Sequence, residues 1–397
     1  MTAPRTIIIA GAGIGGLTAA LALVAQGFRV IVLEKSERLE EAGAGIQLSP
    51  NASRILIGLG LEPLLTPHVT VLDGISMMSA RTGREVTRIP LAAAAFRYGA
   101  PYWIVHRADL QSALFAKATE HPDIEIRLGT QFEDVASHSR GVTVVQRQVM
   151  TRHQETAIAL IGADGLWSGV RNQLFPDIRP VFSGRIAWRG MIEATQVPRE
   201  FRDRRVQLWM GRNAHLVAYP VSGGRRINVV AIVEGEWNRP GWGESGDAAE
   251  IRPHFAAPKW PVAARLMVSA VESWRRWALY SIKDGGAWTG GNGVALLGDA
   301  AHAMLPFMAQ GAGMAIEDAA VLANCLAQAP GEAAAALDRY AGQRRGRVAR
   351  VQRAARQAGR IYHLGGPMAA ARDLGIRMLG GERLLAQQDW IYDQRSG

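Results

Sequence analysis

A single cysteine, Cys325, stands among 397 residues. It forbids an internal disulfide and fits a reducing compartment. Its surroundings, "AVLANCLAQA", read as an apolar helix, so a small buried hydrophobe is the plain reading. No apolar run reaches the roughly 18–20 residues that cross a bilayer. The opening "MTAPRTIIIA" has an apolar tract too short and wrongly flanked for a secretory signal. Lysine is scarce: Lys35, Lys117, Lys259 and Lys283 are the whole set within a Lys+Arg total of 45. The nine histidines are scattered, no GxSxG elbow occurs, and GxGxxG occurs once. These gaps argue against a disulfide scaffold, a membrane span, a metal centre and a serine-hydrolase elbow. The expected setting is cytoplasmic.

What is present is ordinary for a soluble enzyme of about two domains: 48% hydrophobic and 20% charged residues. The net charge of +10 is local in origin. Positions 339–360, "RYAGQRRGRVARVQRAARQAGR", hold eight arginines and no acid. A solvated helix face is the plain reading. No RNA- or DNA-binding motif and no aromatic–basic interleaving accompanies it, so no nucleic-acid partner is expected.

Along the chain, "RTIIIA" predicts a strand covered on both faces. "GAGIGG" follows. Leu17, Leu21 and Val24 then recur at helical spacing up to Gly27, which predicts a helix over 14–26. "RVIVLE" is a second strand, ending at Glu34. "AIALIGADG" at 157–165 reads as another apolar strand running into a glycine turn. Between about 180 and 280, "RVQLWM", "HLVAYPV" and "RINVVAIV" are separated by "GRN" and "SGGR", which predicts an antiparallel sheet with hairpins. "GVALLGDAAH" is a further strand that enters a second glycine-rich junction, "GDAAHAMLPFMAQGAGMAIEDA" at 298–319. From 313 to 360 the chain reads mostly helical, and the remainder as more irregular.

Gly11, Gly13 and Gly16 lie between a predicted strand and a helix opened by Ile14. Glu34 ends the next strand, with Lys35 beside it. The glycines permit a tight turn and the approach of a pyrophosphate to free helix N–H groups. The acid about 20 residues on suits ribose hydroxyls. Spacing alone does not separate FAD from NAD(P).

Two further elements, "GADGLWSGVR" at 162–171 and the second glycine junction, go beyond what a simple NAD-dependent dehydrogenase needs. Here the sequence resembles the flavin-dependent aromatic hydroxylases, the FAD monooxygenases related to salicylate hydroxylase and p-hydroxybenzoate hydroxylase, over essentially its whole length. Gly11, Gly13, Gly16 and Glu34 match that family's FAD fingerprint. Asp164, Gly165, Ser168 and Arg171 match its DGxxSxxR element, and Gly298 and Asp299 its GD element. "HRADL" resembles the segment whose arginine, here Arg107, reaches the FAD phosphates.

The resemblance implies an α/β fold: a Rossmann-like FAD-binding domain interrupted by an antiparallel β-sheet substrate domain, with C-terminal helices. The expected layout is FAD-binding domain at 1–75, 101–179 and 285–360. A substrate-domain excursion at 76–100, a β-rich substrate domain at 180–284 and a C-terminal segment at 361–397 complete it. The resemblance also puts Asp299 on a ribityl hydroxyl and the backbone of Gly311, Ala312, Gly313 and Met314 against the flavin ring. Pro306 would shape the wall over the flavin, and Gln47 lies in a segment bordering it. Asp164 would touch FAD and the approaching nicotinamide. From the residues alone, Asp299 is also a candidate N-cap, and His302 reads as structural.

The implied activity is hydroxylation of a small aromatic substrate by non-covalent FAD, with NADH or NADPH and O2, through a flavin C4a-hydroperoxide. In "HLVAYPV", His215 and Tyr219 are four apart and fall on one face of a strand. His215 is the candidate general base for a phenol, and Tyr219 the candidate to orient a substrate oxygen. A satisfied sheet histidine is the alternative. Another FAD oxidoreductase, an epoxidase or reductase of a lipid-like substrate, and a non-catalytic flavin binder remain as other classes. A monomer or homodimer is expected.

Overall fold

The computed structural model describes residues 5–39, 45–239, 241, 243–290, 293–329 and 331–394. The start of the "AGAGIQLSPNA" segment and the last three residues of "DWIYDQRSG" lie outside the described residues.

Five short strands form a wholly parallel sheet in the order Val294–Leu296, Ala159–Gly162, Thr6–Ala10, Arg29–Leu33, Ile124–Arg127. Their β-branched and leucine side chains, Ile7, Ile9, Val30, Val32, Leu160 and Ile161 among them, are buried. Continuous apolar sequence is what a sheet covered on both faces requires. Helix Ile14–Val24 packs against helix Gly311–Ala327, so the helices that follow the two glycine-rich junctions lie side by side. The ends of their parent strands therefore open onto the same region.

The β-rich middle is an eight-stranded sheet. Its centre runs Trp274–Ser281, Val181–Glu193, Arg226–Glu234, Ala214–Val221, Arg205–Gly211, all antiparallel. Gly74–Ser79 joins Arg205–Gly211 in parallel and carries Glu85–Pro90 at the edge. One face packs on a tryptophan-rich core that includes Trp188, Trp209, Trp260 and Trp274. The other face looks toward the nucleotide-type junctions. Gly45 is bracketed from this sheet: Tyr219 donates to its carbonyl at 2.7 Å, and its N–H donates to Asn228 Oδ1 at 3.3 Å. Tyr219 and Asn228 are cross-strand partners, which explains how both reach one residue.

Two expectations change. The stretch after 361 is not irregular: helix Gly366–Ala386 runs through it, with a break in geometry at Gly380. Its glycines hide the helical pattern. At Gly381 a Cβ would collide with the Arg88 carbonyl, so the glycine serves close approach to strand Glu85–Pro90. The arginine-rich segment, part of helix Ala333–Tyr362, is not merely a solvated face. Arg344 is 3% exposed and bonds Asp318 Oδ1 (2.7 Å) and Glu317 Oε2 (2.5 Å); Arg347 also holds Glu317. Among the described residues, no helix is long and apolar enough to cross a membrane.

Candidate active site

One cleft is lined by both junctions and by the inner face of the middle sheet. Gly13 and Ile14 come from the first junction, and Asp299, Pro306, Gly311 and Ala312 from the second. Gln47, Arg107, His215 and Tyr219 complete the predicted residues on its wall.

The first junction is built for a close-approaching ligand. Gly11 has φ +108°, and a Cβ on it would lie 2.5 Å from the Ala163 carbonyl oxygen. It must be glycine for the fold itself. Gly13 differs: a Cβ there would meet nothing within 4 Å. Helix Ile14–Val24 starts at Gly13 with no side-chain cap and no acid in its first turn. Its leading N–H groups have no partner within the helix, and an anion is the natural one. Glu34 lies beneath the loop; its carboxylate accepts from the N–H groups of Ala12 (2.9 Å) and Ser36 (3.0 Å). Lys35 is exposed.

The second junction repeats the design. Gly298 (φ +62°) turns the chain after Val294–Leu296. Asp299 is the first residue of helix Asp299–His302; Gly298, not Asp299, occupies the cap position. The Asp299 carboxylate makes no hydrogen bond to a described residue. Helix Gly311–Ala327 begins two residues earlier than the sequence suggests. It too lacks a side-chain cap and a first-turn acid. Gly311 and Ala312 line the cleft, and as the first residues of the helix their amides have no partner within it. Gly313 instead packs on Gln310 and Asn51, and Met314 is fully buried with its carbonyl and sulfur facing Arg344. Those two residues support the junction rather than wall the cleft. His302 is structural: its Nε2 lies 2.5 Å from Asp318 Oδ2, which also accepts the Gly298 N–H at 3.2 Å.

The DGxxSxxR element splits its labour. Ser168 Oγ caps helix Gly169–Leu174 by accepting from Arg171 N–H at 2.9 Å. Buried Arg171 donates to the carbonyls of Leu166 (2.6 Å) and Ala300 (2.9 Å), which ties this element to the second junction. Asp164 Oδ2 accepts from Gly169 N–H (2.7 Å) and Val170 N–H (3.1 Å). Its Oδ1 is buried without a partner among the described residues, and burial pushes the carboxyl above its ordinary range. An orphaned oxygen, an unpartnered Asp299, an open Gly13 and two uncapped helix starts around one cleft fit an extended dinucleotide.

On the sheet side, His215, Val217 and Tyr219 line the cleft as alternate residues of one strand. The base expectation for His215 meets a constraint. Burial, with the Arg185 charge second, pushes its pKa down to about 3, so it is a poor proton acceptor at neutral pH. Tyr219 is constrained as well. Its hydroxyl proton is committed to Gly45, and burial raises its pKa to about 12. Only its oxygen lone pair is left for a ligand.

Arg189 was not anticipated from the sequence. It lines the cleft with its guanidinium 4.0 Å from the Trp277 ring centroid. Its Nε is buried without a partner, and no acid pairs with it among the described residues. Burial lowers its pKa to about 10, which leaves it charged at pH 7. A signal existed: in "SGRIAWRGMI", Arg185 and Arg189 sit at even spacing inside an otherwise apolar strand. Among the described residues, no group of three or more His, Cys, Asp or Glu is placed to hold a metal ion.

Comparison with known proteins agrees with this geometry. The family described as FAD binding domain matches residues 5–355. The 3-hydroxybenzoate 6-hydroxylase of Klebsiella oxytoca is 36% identical over 390 residues, 97% of this chain and 96% of that protein. The salicylate hydroxylase of Pseudomonas putida is 30% identical, with 97% and 91% covered. A solved salicylate hydroxylase substrate complex superposes with a TM-score of 0.84 at 25% identity, covering 100% of this chain and 97% of that one. Klebsiella pneumoniae HpxO, complexed with FAD and uric acid, gives 0.83 at 26% identity, with 99% and 98% covered. With its two nucleotide-type junctions facing the middle sheet across one cleft, the chain belongs to the FAD-binding-domain family, among the flavin-dependent aromatic hydroxylases.

Proposed function

We propose that this FAD-dependent aromatic hydroxylase acts on a small phenol that carries a carboxylate, a hydroxybenzoate-type substrate, with Arg189 as the carboxylate's partner. The observation that carries this reading is the Arg189 guanidinium in the cleft, 4.0 Å from the Trp277 ring centroid and without an acid partner among the described residues. A buried cation without an acid is costly unless a ligand supplies the counter-charge. Guanidinium and carboxylate match as a two-pronged pair. The relatives named for 3-hydroxybenzoate and salicylate act on substrates of this class.

FAD, once reduced by NADH or NADPH, supplies the oxygen chemistry. The chain's own residues bind and orient. Gly11, Gly13 and Gly16, with the helix start at Ile14 and Arg107, would hold the pyrophosphate. Glu34 would hold the ribose, Asp299 a hydroxyl of the ribityl chain, and Asp164 Oδ1 a donor of the cofactor or of the nicotinamide. The free amides of Gly311 and Ala312 would stabilise negative charge on the ring system. Val217, Trp277 and Leu279 exclude water from the substrate side. The charged and polar groups Arg189 and His215 argue against a lipid-like substrate. The reading places the enzyme in the cytoplasm, as a monomer or homodimer.

The test is a screen of hydroxybenzoates against the matching phenols without a carboxylate, scoring stimulated NADH or NADPH oxidation and hydroxylated product. Arg189→Met should raise KM for the hydroxybenzoate by roughly tenfold to a hundredfold, the loss of a charged hydrogen bond of about 1.5–3 kcal/mol. It should leave KM for the plain phenol within about threefold. Equal effects on both, or a preference for plain phenols in the wild type, would remove the carboxylate from the proposal.

A further inference from the structure

His215 is the inner end of a chain of polar contacts that leads away from the cleft. Its Nδ1 lies 2.6 Å from Nε2 of His363, the residue that ends helix Ala333–Tyr362. His363 Nδ1 in turn contacts Arg185 Nη1. Arg185 sits opposite Glu234 in the sheet register and bonds its Oε1 through Nη2 at 3.2 Å. The chain thus passes from the cleft through two imidazoles and a guanidinium to a half-exposed acid.

Every bond in this chain has one possible direction. A guanidinium only donates, so His363 Nδ1 must accept. A neutral imidazole carries one ring proton, so the His363 proton is on Nε2. That N–H donates to His215, whose Nδ1 must therefore accept. The single proton of His215 is left on Nε2, the ring nitrogen that has no partner among the described residues. The opposite arrangement would put a proton on His363 Nδ1 and aim two donors at each other. Neutrality of both rings follows from the surroundings. The rings of Phe307 and Tyr362 pack on His215. The charges that act against protonation are that of Arg185 on His215 and, on His363, those of His215 when protonated, Arg185 and Arg372. Glu234, the nearest acid in the chain, is engaged with Arg185. Burial and these cations push His215 down to about 3 and His363 to about 2.

We propose that Arg185 and His363 are positioning residues that lock His215 as its Nε2–H tautomer, so that the cleft presents a fixed hydrogen-bond donor for an anionic oxygen of the substrate, and not a base. The oxygen is a phenolate or carboxylate; a phenol that binds as phenolate leaves its proton with the buffer. The identity of the acceptor rests on the hydroxybenzoate reading. The lock does not, and its test needs no substrate.

Ring-15N-labelled histidine in the FAD-loaded holoenzyme reports each tautomer directly by long-range 1H–15N correlation. Spectra of His215→Gln and His363→Gln assign the two rings. Both wild-type rings should show a protonated Nε2 and a lone pair on Nδ1, unchanged from about pH 5 to about pH 8. Arg185→Met removes the donor but keeps the stem, so His363, and His215 with it, should become a tautomer mixture. Arg185→Lys keeps a donor-only cation and should restore the wild-type pattern. Nδ1–H or an imidazolium at His215 in the wild type overturns the proposal. So does an Arg185→Met holoenzyme with wild-type tautomers. If that variant does not load FAD, the wild-type spectrum decides alone. An enzyme that shows the Nε2–H pattern yet turns over no hydroxybenzoate would refute the substrate reading and leave the lock standing.

Discussion

Replacing Arg344 by methionine should destabilise the protein by about 3 kcal/mol at neutral pH and weaken FAD binding with it. Arg344 donates to Asp318 Oδ1 at 2.7 Å and to Glu317 Oε2 at 2.5 Å, and both acids are fully buried. Asp318 Oδ2 meanwhile accepts the Gly298 N–H and faces His302. One guanidinium therefore steadies the acid that steadies the turn before Asp299. Removing one partner of a buried ion pair costs about 3–5 kcal/mol. The lower end applies, because Arg347 keeps two 2.7 Å bonds to Glu317 and Asn51 a third. The pH dependence has a definite sign. Burial pushes both carboxyls up. The opposing pull of Arg347 and Arg344 on Glu317, and of His302 and Arg344 on Asp318, wins and leaves both below their ordinary values. Their stabilisation is complete above the unfolded values of about 3.9 and 4.3 and is lost as the pH falls through the lower folded ones. In the variant Glu317 keeps Arg347 and Asp318 keeps His302, but the pull of Arg344 is gone, so both folded values lie above their wild-type ones and the variant takes up protons first. Its deficit should then shrink as the pH falls through those values. Urea unfolding of both proteins at the same excess of FAD measures this, with flavin fluorescence titration for affinity. A deficit below about 1 kcal/mol, or one that grows as the pH falls, would refute the reasoning.

Two glycines of one loop should separate folding from binding. Gly13→Val should fold with a wild-type circular dichroism spectrum and bind no FAD, because the new side chain meets only the cleft. Gly16→Val should fail to fold, because its Cβ collides with the Gly11 carbonyl; a well-folded Gly16→Val would contradict the packing. Tyr219→Phe removes the bond to Gly45 and should cost about 1 kcal/mol of stability. Turnover should stay within about tenfold of wild type; loss of turnover at unchanged stability would make the hydroxyl a reacting group.

Sequence alone determined the parts of this protein whose chemistry is local. The apolar runs 6–10 and 29–33, the glycines after the first, Glu34 at the end of the second and the GD junction are each a short pattern whose backbone demands are met within a few residues. They were legible as dinucleotide-type elements, and the alternation in "HLVAYPV" put His215 and Tyr219 on one face. What those two side chains do was decided elsewhere. Gly45 takes the Tyr219 proton from a segment 174 positions away. His363, 148 positions away, fixes the ring of His215, and burial removes its basicity. The arginines of 339–360 look alike in sequence, yet Arg344 is buried against two acids while its neighbour Arg345 reaches only the Gly285 carbonyl at the surface. Arg189 became a candidate ligand partner only when the sheet placed it over Trp277 with no acid partner among the described residues. Protonation, pairing and exposure depend on what lies within a few ångströms in space, and for these residues almost none of it lies nearby in the chain.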